Sequence, residues 1–119
     1  GRVAVSDWMR IDNNPPSIQM QEYVAAEGLD MYMYSLKCYE QALKNAGFID
    51  IAIKDRNAWY LSKAKKELAA IEGPLNKQVI DAIGPEETAG AIDIWKKLIG
   101  VLKLGEHRPG HFKAVKKKY

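Results

Sequence analysis

An α/β fold is predicted by three observations. The chain opens on a β-rich segment, Arg2-Val3-Ala4-Val5-Ser6-Asp7-Trp8. A second apolar run, Phe48 to Lys54, places Ile49, Ile51 and Ile53 at period two. Between them lie segments with helical spacing and recognisable caps, so that strand, helix-containing connection and strand form a βαβ unit on a parallel or near-parallel sheet.

In the first strand Val3 and Val5 share one face and Ala4 and Ser6 the other. All four are small or apolar, as in an interior strand covered on both sides. Ile11-Asp12-Asn13-Asn14-Pro15-Pro16 is turn chemistry and carries a loop away from the strand's carboxyl end. Ser17 to Glu27 reads as a short helix with Ile18, Tyr23 and Val24 near one stripe and Gly28 as its stop. Leu29 to Tyr34 is loop or extended chain. Ser35 caps the next helix, whose Leu36, Tyr39, Leu43 and Ala46 follow the three-and-four spacing up to Gly47. After the second strand, Asn57 caps a helix carrying Trp59, Tyr60, Ala64, Leu68 and Ile71 and ending at Gly73. Two more helical pieces start at Pro74 and Pro85, since proline suits the first helical turn. The last of them carries Ala91, Ile92, Ile94, Trp95, Leu98 and Val101. Gly110 to Lys116 alternates again and closes the chain as a third strand.

With 119 residues, 47% of them apolar, the chain suffices for one domain and not two. A net charge of +3 keeps it within the globular class. No run approaches the ~18 apolar residues of a membrane helix, and no signal-peptide pattern opens the chain. A soluble cytoplasmic protein is expected. The single Cys38 excludes an internal disulfide and reads as a small buried hydrophobe inside a helix, without a basic residue in an obvious pair with it, so a nucleophile role is not expected. The excess positive charge sits in Lys113, Lys116, Lys117 and Lys118 without interleaved arginine and aromatic residues, which argues against nucleic acid as a partner. His107 and His111 lie four apart, but Pro109 and Gly110 break any helix between them, so no metal site is expected.

The order of elements, with Ser6-Asp7-Trp8, Gln21-Glu22-Tyr23, the run from Tyr39 to Phe48, Ile94-Trp95-Lys96-Lys97 and Gly110-His111-Phe112-Lys113-Ala114, resembles a known family. It is similar to the C-terminal half of class I S-adenosylmethionine-dependent methyltransferases, closest to small-amine N-methyltransferases of the phosphoethanolamine and sarcosine or dimethylglycine types. The resemblance implies a partial Rossmann-like sheet of about three strands, the last inserted antiparallel between the other two. It also implies a lid-like helical insertion at about 57–106. Three positions depart from the phosphoethanolamine pattern: Trp8 replaces a tyrosine, Glu27 a basic residue and Leu98 a lysine. Two phosphate-binding cations are thereby missing, which favours a small amine without phosphate. The Gly-rich turn and acidic residue that hold the cofactor in this family have no counterpart in the sequence and would lie upstream of Gly1. The chain alone is therefore expected to bind no cofactor and to be inactive.

In such a sheet the site lies beyond the carboxyl ends of the strands. Asp7 is then placed to accept a hydrogen bond from a substrate ammonium and help deprotonate it, because an amine attacks a methyl group only as the free base. Trp8 and Tyr23 are candidates to face a methylated ammonium, and Lys97 to meet a substrate carboxylate. Against these roles stand a turn-forming carboxylate for Asp7, core packing for the two aromatics and a solvated helix face for Lys97. Met20, Met31 and Met33 with Tyr32 and Tyr34 could form a soft wall beside a cofactor, though gap-filling core is the favoured reading. Two readings from other classes remain. One is a non-catalytic dimerising α/β module using Trp8, Tyr32, Tyr34 and Trp59, and the other a quaternary-ammonium-binding protein. An exposed strand edge is expected to pair with a second copy in a homodimer.

Overall fold

The computed structural model describes residues 1–118. In chain order the elements are β1 (Arg2–Asp7), α1 (Ile18–Glu27), α2 (Leu36–Asn45), β2 (Phe48–Asp55), α3 (Asn57–Glu72), α4 (Asn76–Ile83), α5 (Pro85–Lys103) and β3 (Gly110–Lys116). The sheet order is β1-β3-β2, with β3 antiparallel to both neighbours. β1 and β2 therefore run the same way with the last strand inserted between them. β1 itself lies at an edge rather than in the interior, and Ala4 and Ser6 on its second face are exposed. The small apolar residues that suggested two covered faces are covered on one.

That covered face follows from the register. Val3 and Val5 stand opposite Ala114 and Phe112, and Ile53 also stands opposite Phe112. Helix α2 lies over them, its Tyr39 ring 5.1 Å from that of Phe112. On β2 the period-two reading fails at one point. An extra residue between Ile49 and Ala52 makes a bulge at Asp50, whose φ is 52°. The bulge turns Ile49 to the face opposite Ile53 and leaves it 43% exposed. Gly110, opposite both Asp7 and Asp55, sits so close to α2 that a Cβ there would meet Leu36 at 2.8 Å and the Lys54 carbonyl at 2.9 Å. Only glycine fits where β3 enters the sheet.

Caps account for the helices. Ser17 accepts from the Met20 amide at 3.1 Å and Ser35 from the Cys38 amide at 3.1 Å, while Gly28 ends α1 in the left-handed region at φ 69°. Asn57 is not the cap of α3 but its first residue, and its own amide donates to Asp55 Oδ1 at 2.9 Å. Its side chain is spent elsewhere, donating to the carbonyls of Leu102 at 3.0 Å and His107 at 2.8 Å. Pro85 opens α5 as expected, whereas Pro74 lies in a turn ahead of α4. Ile18 faces solvent at 71% exposure, and Cys38 is half-buried rather than buried. The burial on α1 falls instead on Met20 and Tyr23.

The main apolar core is helical. Met20 and Tyr23 of α1 pack with Ala64 of α3 and with Leu98, Ile99, Val101 and Leu102 of α5. Full burial of each large side chain among these contributes about 1.5–3 kcal/mol. Helical core and sheet lie side by side, giving extents of 57 × 29 × 23 Å and a radius of gyration of 17.1 Å. A compact chain of this length would have a radius near about 13.5 Å. The open sheet face, with Ala4, Ser6, Ala52, Lys54, His111 and Lys113 all exposed, is one reason for the difference.

Candidate functional site

The seam between sheet and helical core is where Asp7, Trp8 and Tyr23, three of the four predicted site residues, gather. β1 ends at Asp7, and the chain continues through Trp8, Met9 and Arg10 beside residues 106–108. The Ile11 amide donates to the Glu106 carbonyl at 2.9 Å and the Arg108 amide to the Met9 carbonyl at 2.7 Å. This short pairing sets the His107 ring against Trp8, with centroids 5.0 Å apart and planes 7° from parallel. Tyr60 of α3 meets the same indole edge-on at 5.2 Å, and the Tyr23 ring lies 5.6 Å from His107, tilted by 46°. Four aromatic rings from four segments thus converge on one point.

The environments of these rings differ sharply. Trp8 is 37% exposed, whereas Tyr23 and His107 are fully buried. Neither nitrogen of His107 is in hydrogen-bonding geometry with a partner. Burial pushes its pKa down to about 4, against the smaller opposing pull of the Met9 carbonyl and the Glu106 carboxylate. The ring behind Trp8 is therefore neutral at physiological pH. Burial also raises the Tyr23 phenol, helped by its hydrogen bond to Glu27 at 2.8 Å, so the hydroxyl stays a donor.

Asp7 is held from two sides. Its Oδ1 accepts from the Trp8 amide at 2.8 Å and its Oδ2 from the Tyr39 hydroxyl at 2.6 Å. Tyr39 is pushed up to about 12 by burial and by this bond to a carboxylate. A carboxylate offers about four lone-pair directions, so two remain for another donor. Asp7 and Trp8 open together onto a pocket of about 370 Å³ whose other wall is residues 29–33. Met31, Tyr32 and Met33 also line a larger cavity of about 660 Å³ on the other side of that segment, with Met20, Val24 and Arg10. Both volumes fall in the range of small-ligand sites.

Of the predicted site residues, Asp7 and Trp8 are adjacent on a pocket wall, and Tyr23, which does not line that pocket, shares with Trp8 a ring contact to His107. Lys97 is elsewhere: its ammonium pairs with Asp93 one turn earlier on α5, and it lines neither cavity. Tyr32, Tyr34 and Trp59 are exposed at 84%, 55% and 52% and do not form one buried cluster with Trp8. Of the methionines, Met20 is core, while Met31 and Met33 are half-buried cavity wall. His111 is exposed on β3, and no group of three potential metal ligands occurs among the described residues. Sequence reasoning missed Tyr39, Tyr60, His107 and Arg10 as site residues. The only available signal for Tyr39 was its place on the inner stripe of α2, and for His107 there was none until the 9–11 and 106–108 segments were seen to pair.

No protein-family profile matches the chain. A phosphoethanolamine N-methyltransferase of Arabidopsis thaliana is 30% identical over 116 residues, covering 98% of this chain and 23% of that protein. One from Zea mays is 32% identical over 117 residues, covering 98% of this chain and 22% of the relative. The chain is homologous to part of the phosphoethanolamine N-methyltransferases. It spans less than a quarter of the length of these relatives. Among solved structures, phosphoethanolamine N-methyltransferase 2 of Haemonchus contortus, in complex with phosphomonomethylethanolamine and S-adenosylhomocysteine, matches with a TM-score of 0.86. Identity there is 22%, over 99% of this chain and 27% of that one. A candidate sarcosine dimethylglycine methyltransferase from Galdieria sulphuraria matches with a TM-score of 0.79 at 18% identity, over 100% of this chain and 43% of that one. These two likenesses show that the three strands and five helices described above share the fold of the matching part of those proteins.

β1 is followed by Trp8-Met9-Arg10 and β2 by Arg56-Asn57, with no glycine cradle at either carboxyl end. Asp55, the acid that ends β2, is already paired with Arg108 at 2.8 Å.

Proposed function

We propose that this chain is the substrate-side part of an S-adenosylmethionine-dependent N-methyltransferase whose acceptor is a small amine of glycine-betaine or phosphobase type. The observation that carries the reading is the pairing of Asp7 with the open side of Trp8 on one pocket wall at the carboxyl end of β1. Asp7 receives an N–H of the acceptor and is placed to take its proton, leaving the nitrogen lone pair free to attack. Trp8 faces the methylated nitrogen, an attraction of roughly 0.5–2 kcal/mol. His107 behind the indole is neutral, so it adds no repulsion. The helices between β2 and β3 serve as a lid that excludes water, with Tyr60 of α3 already against Trp8.

Two positions favour an acceptor without phosphate. Where the phosphoethanolamine pattern has cations, this chain has Glu27, engaged by the Tyr23 hydroxyl, and Leu98, buried in the core. Lys97, paired with Asp93, is left as a candidate for the acceptor's carboxylate only if it swings free of that pair. In this proposal the methyl donor is bound by a part that this chain lacks, and the chain alone neither binds it nor turns over. The open edge of β1 is read as a strand-pairing surface for a second copy, which a dimeric mass in solution would support and a strictly monomeric one would refute.

The test is a titration with tetramethylammonium, followed by calorimetry. Binding should be lost in Trp8→Ala and kept in Trp59→Ala, which removes a more exposed tryptophan away from the pocket. Equal affinity of the two variants would remove Trp8 from the site.

A further inference from the structure

We propose that Arg10 forms a second, anion-binding subsite in the 660 Å³ cavity, so that the acceptor amine carries its own carboxylate or phosphate. This rests on the reading of Asp7 and Trp8 as the amine subsite. The chain delivers Arg10 to the cavity by backbone pairing: its amide donates to the Tyr34 carbonyl at 3.0 Å, and it bridges to both Ser35 and His107. The residue is thus clamped between two segments while its side chain lines the cavity.

The guanidinium is under-used. One terminal nitrogen donates to the Asn14 carbonyl, and Nε is buried with no partner at all. No ion pair among the described residues involves Arg10. Asp30 is the acidic residue on the same wall, and it is solvent-exposed and not paired with Arg10. The other terminal nitrogen has no hydrogen-bond partner and is not among the buried atoms, so it is the donor left to a bound oxyanion in a charge-assisted contact. The remaining walls, Met20, Val24, Met31 and Met33, are apolar and suit the carbon skeleton of a small molecule.

Distance permits one ligand to use both subsites. Asp7 and Arg10 are three residues apart, so their Cα atoms lie within about 11 Å of each other. The Asp7–Trp8 pocket and the Arg10 cavity share residues 29–33 as a common wall. The proposal places the ammonium of a short zwitterion at Asp7 and Trp8 and its anion at Arg10.

The test compares glycine betaine, phosphocholine and choline as ligands of the full 119-residue chain, in its natural sequence and as Arg10→Met and Arg10→Lys. Betaine or phosphocholine should bind about tenfold or more tighter than choline. Arg10→Met should abolish that advantage and leave choline unchanged, and Arg10→Lys should restore part of it. Whichever of the two anionic ligands gains identifies carboxylate or phosphate as the group held. An advantage that survives in Arg10→Met, or equal binding of all three ligands, overturns the subsite. If no ammonium ligand binds, the amine reading fails, and acetate and inorganic phosphate decide the Arg10 site separately. A saturable shift of the Arg10 Nε–H resonance on adding either ion upholds it, and an unmoved resonance overturns it.

Discussion

The helical core and the sheet bury their apolar residues to very different depths. Around α1, α3 and α5, Met20, Tyr23, Ala64, Leu98, Val101 and Leu102 are all at or below 1% exposure. In the sheet only Gly110, Phe112 and Ala114, all of the central strand, are buried, and Ile49 is 43% exposed. The covering of the sheet is a single helix on one face, α2, whereas the core is closed by three. Asp7 and Trp8 lie where the two regions meet, so the candidate site has a stiff wall of packed helices behind it and an open sheet beside it. A rigid back and an accessible front are what alignment of a small acceptor requires.

Substitutions should break this comparison unevenly. Leu102→Ala, in the helical core, should cost about 2–5 kcal/mol in chemical denaturation. Ile49→Ala, on the open sheet face, should cost about 1 kcal/mol or less. Comparable losses would mean that the sheet face is covered in solution.

Acid should act on the seam next. His107 has a folded-state pKa near 4, below its ordinary 6.5. The unfolded chain therefore takes up a proton that the folded chain refuses between those two values. Stability from this group is complete above pH 6.5, declines as pH falls towards 4 and levels off below it, by roughly 3 kcal/mol in all. His107→Phe, which keeps a flat ring behind Trp8, should flatten that part of the pH–stability curve. An unchanged curve would place the acid sensitivity elsewhere.

Smaller effects sharpen the picture on the sheet side. Ser35→Ala removes the cap of α2 and should cost about 1 kcal/mol, measured by the thermal midpoint. Tyr39→Phe deletes the hydroxyl that holds Asp7 Oδ2 while leaving the ring on Phe112. Tetramethylammonium affinity should change less than about threefold, because the Asp7 carboxylate and the Trp8 ring both remain; a loss as large as that of Trp8→Ala would make Tyr39 part of the binding surface.

Local chemistry made most of the fold legible. Ser17, Gly28, Ser35 and Pro85 each mark a helix end through a bond or angle that the residue type itself supplies. The inserted third strand was legible only through the family resemblance, since no local property of Gly110 to Lys116 says which neighbours it takes. What failed depended on contacts distant in sequence. The bulge at Asp50 reverses Ile49 without any glycine or proline to announce it. Asn57 looks like a cap but is drawn to the Leu102 and His107 carbonyls by the way α5 returns. At the site, Asp7 and Trp8 were legible as residues at a strand's carboxyl end. His107 and Arg10 were not, because their environment is made by residues 9–11, 34–35 and 106–108 pairing across the chain.

The most direct test of the central claim is calorimetric titration of the chain with S-adenosylhomocysteine and, in parallel, with glycine betaine. A substrate-side segment should take up betaine in a Trp8-dependent manner and show no heat with the nucleoside. Micromolar binding of S-adenosylhomocysteine by the chain alone would contradict it.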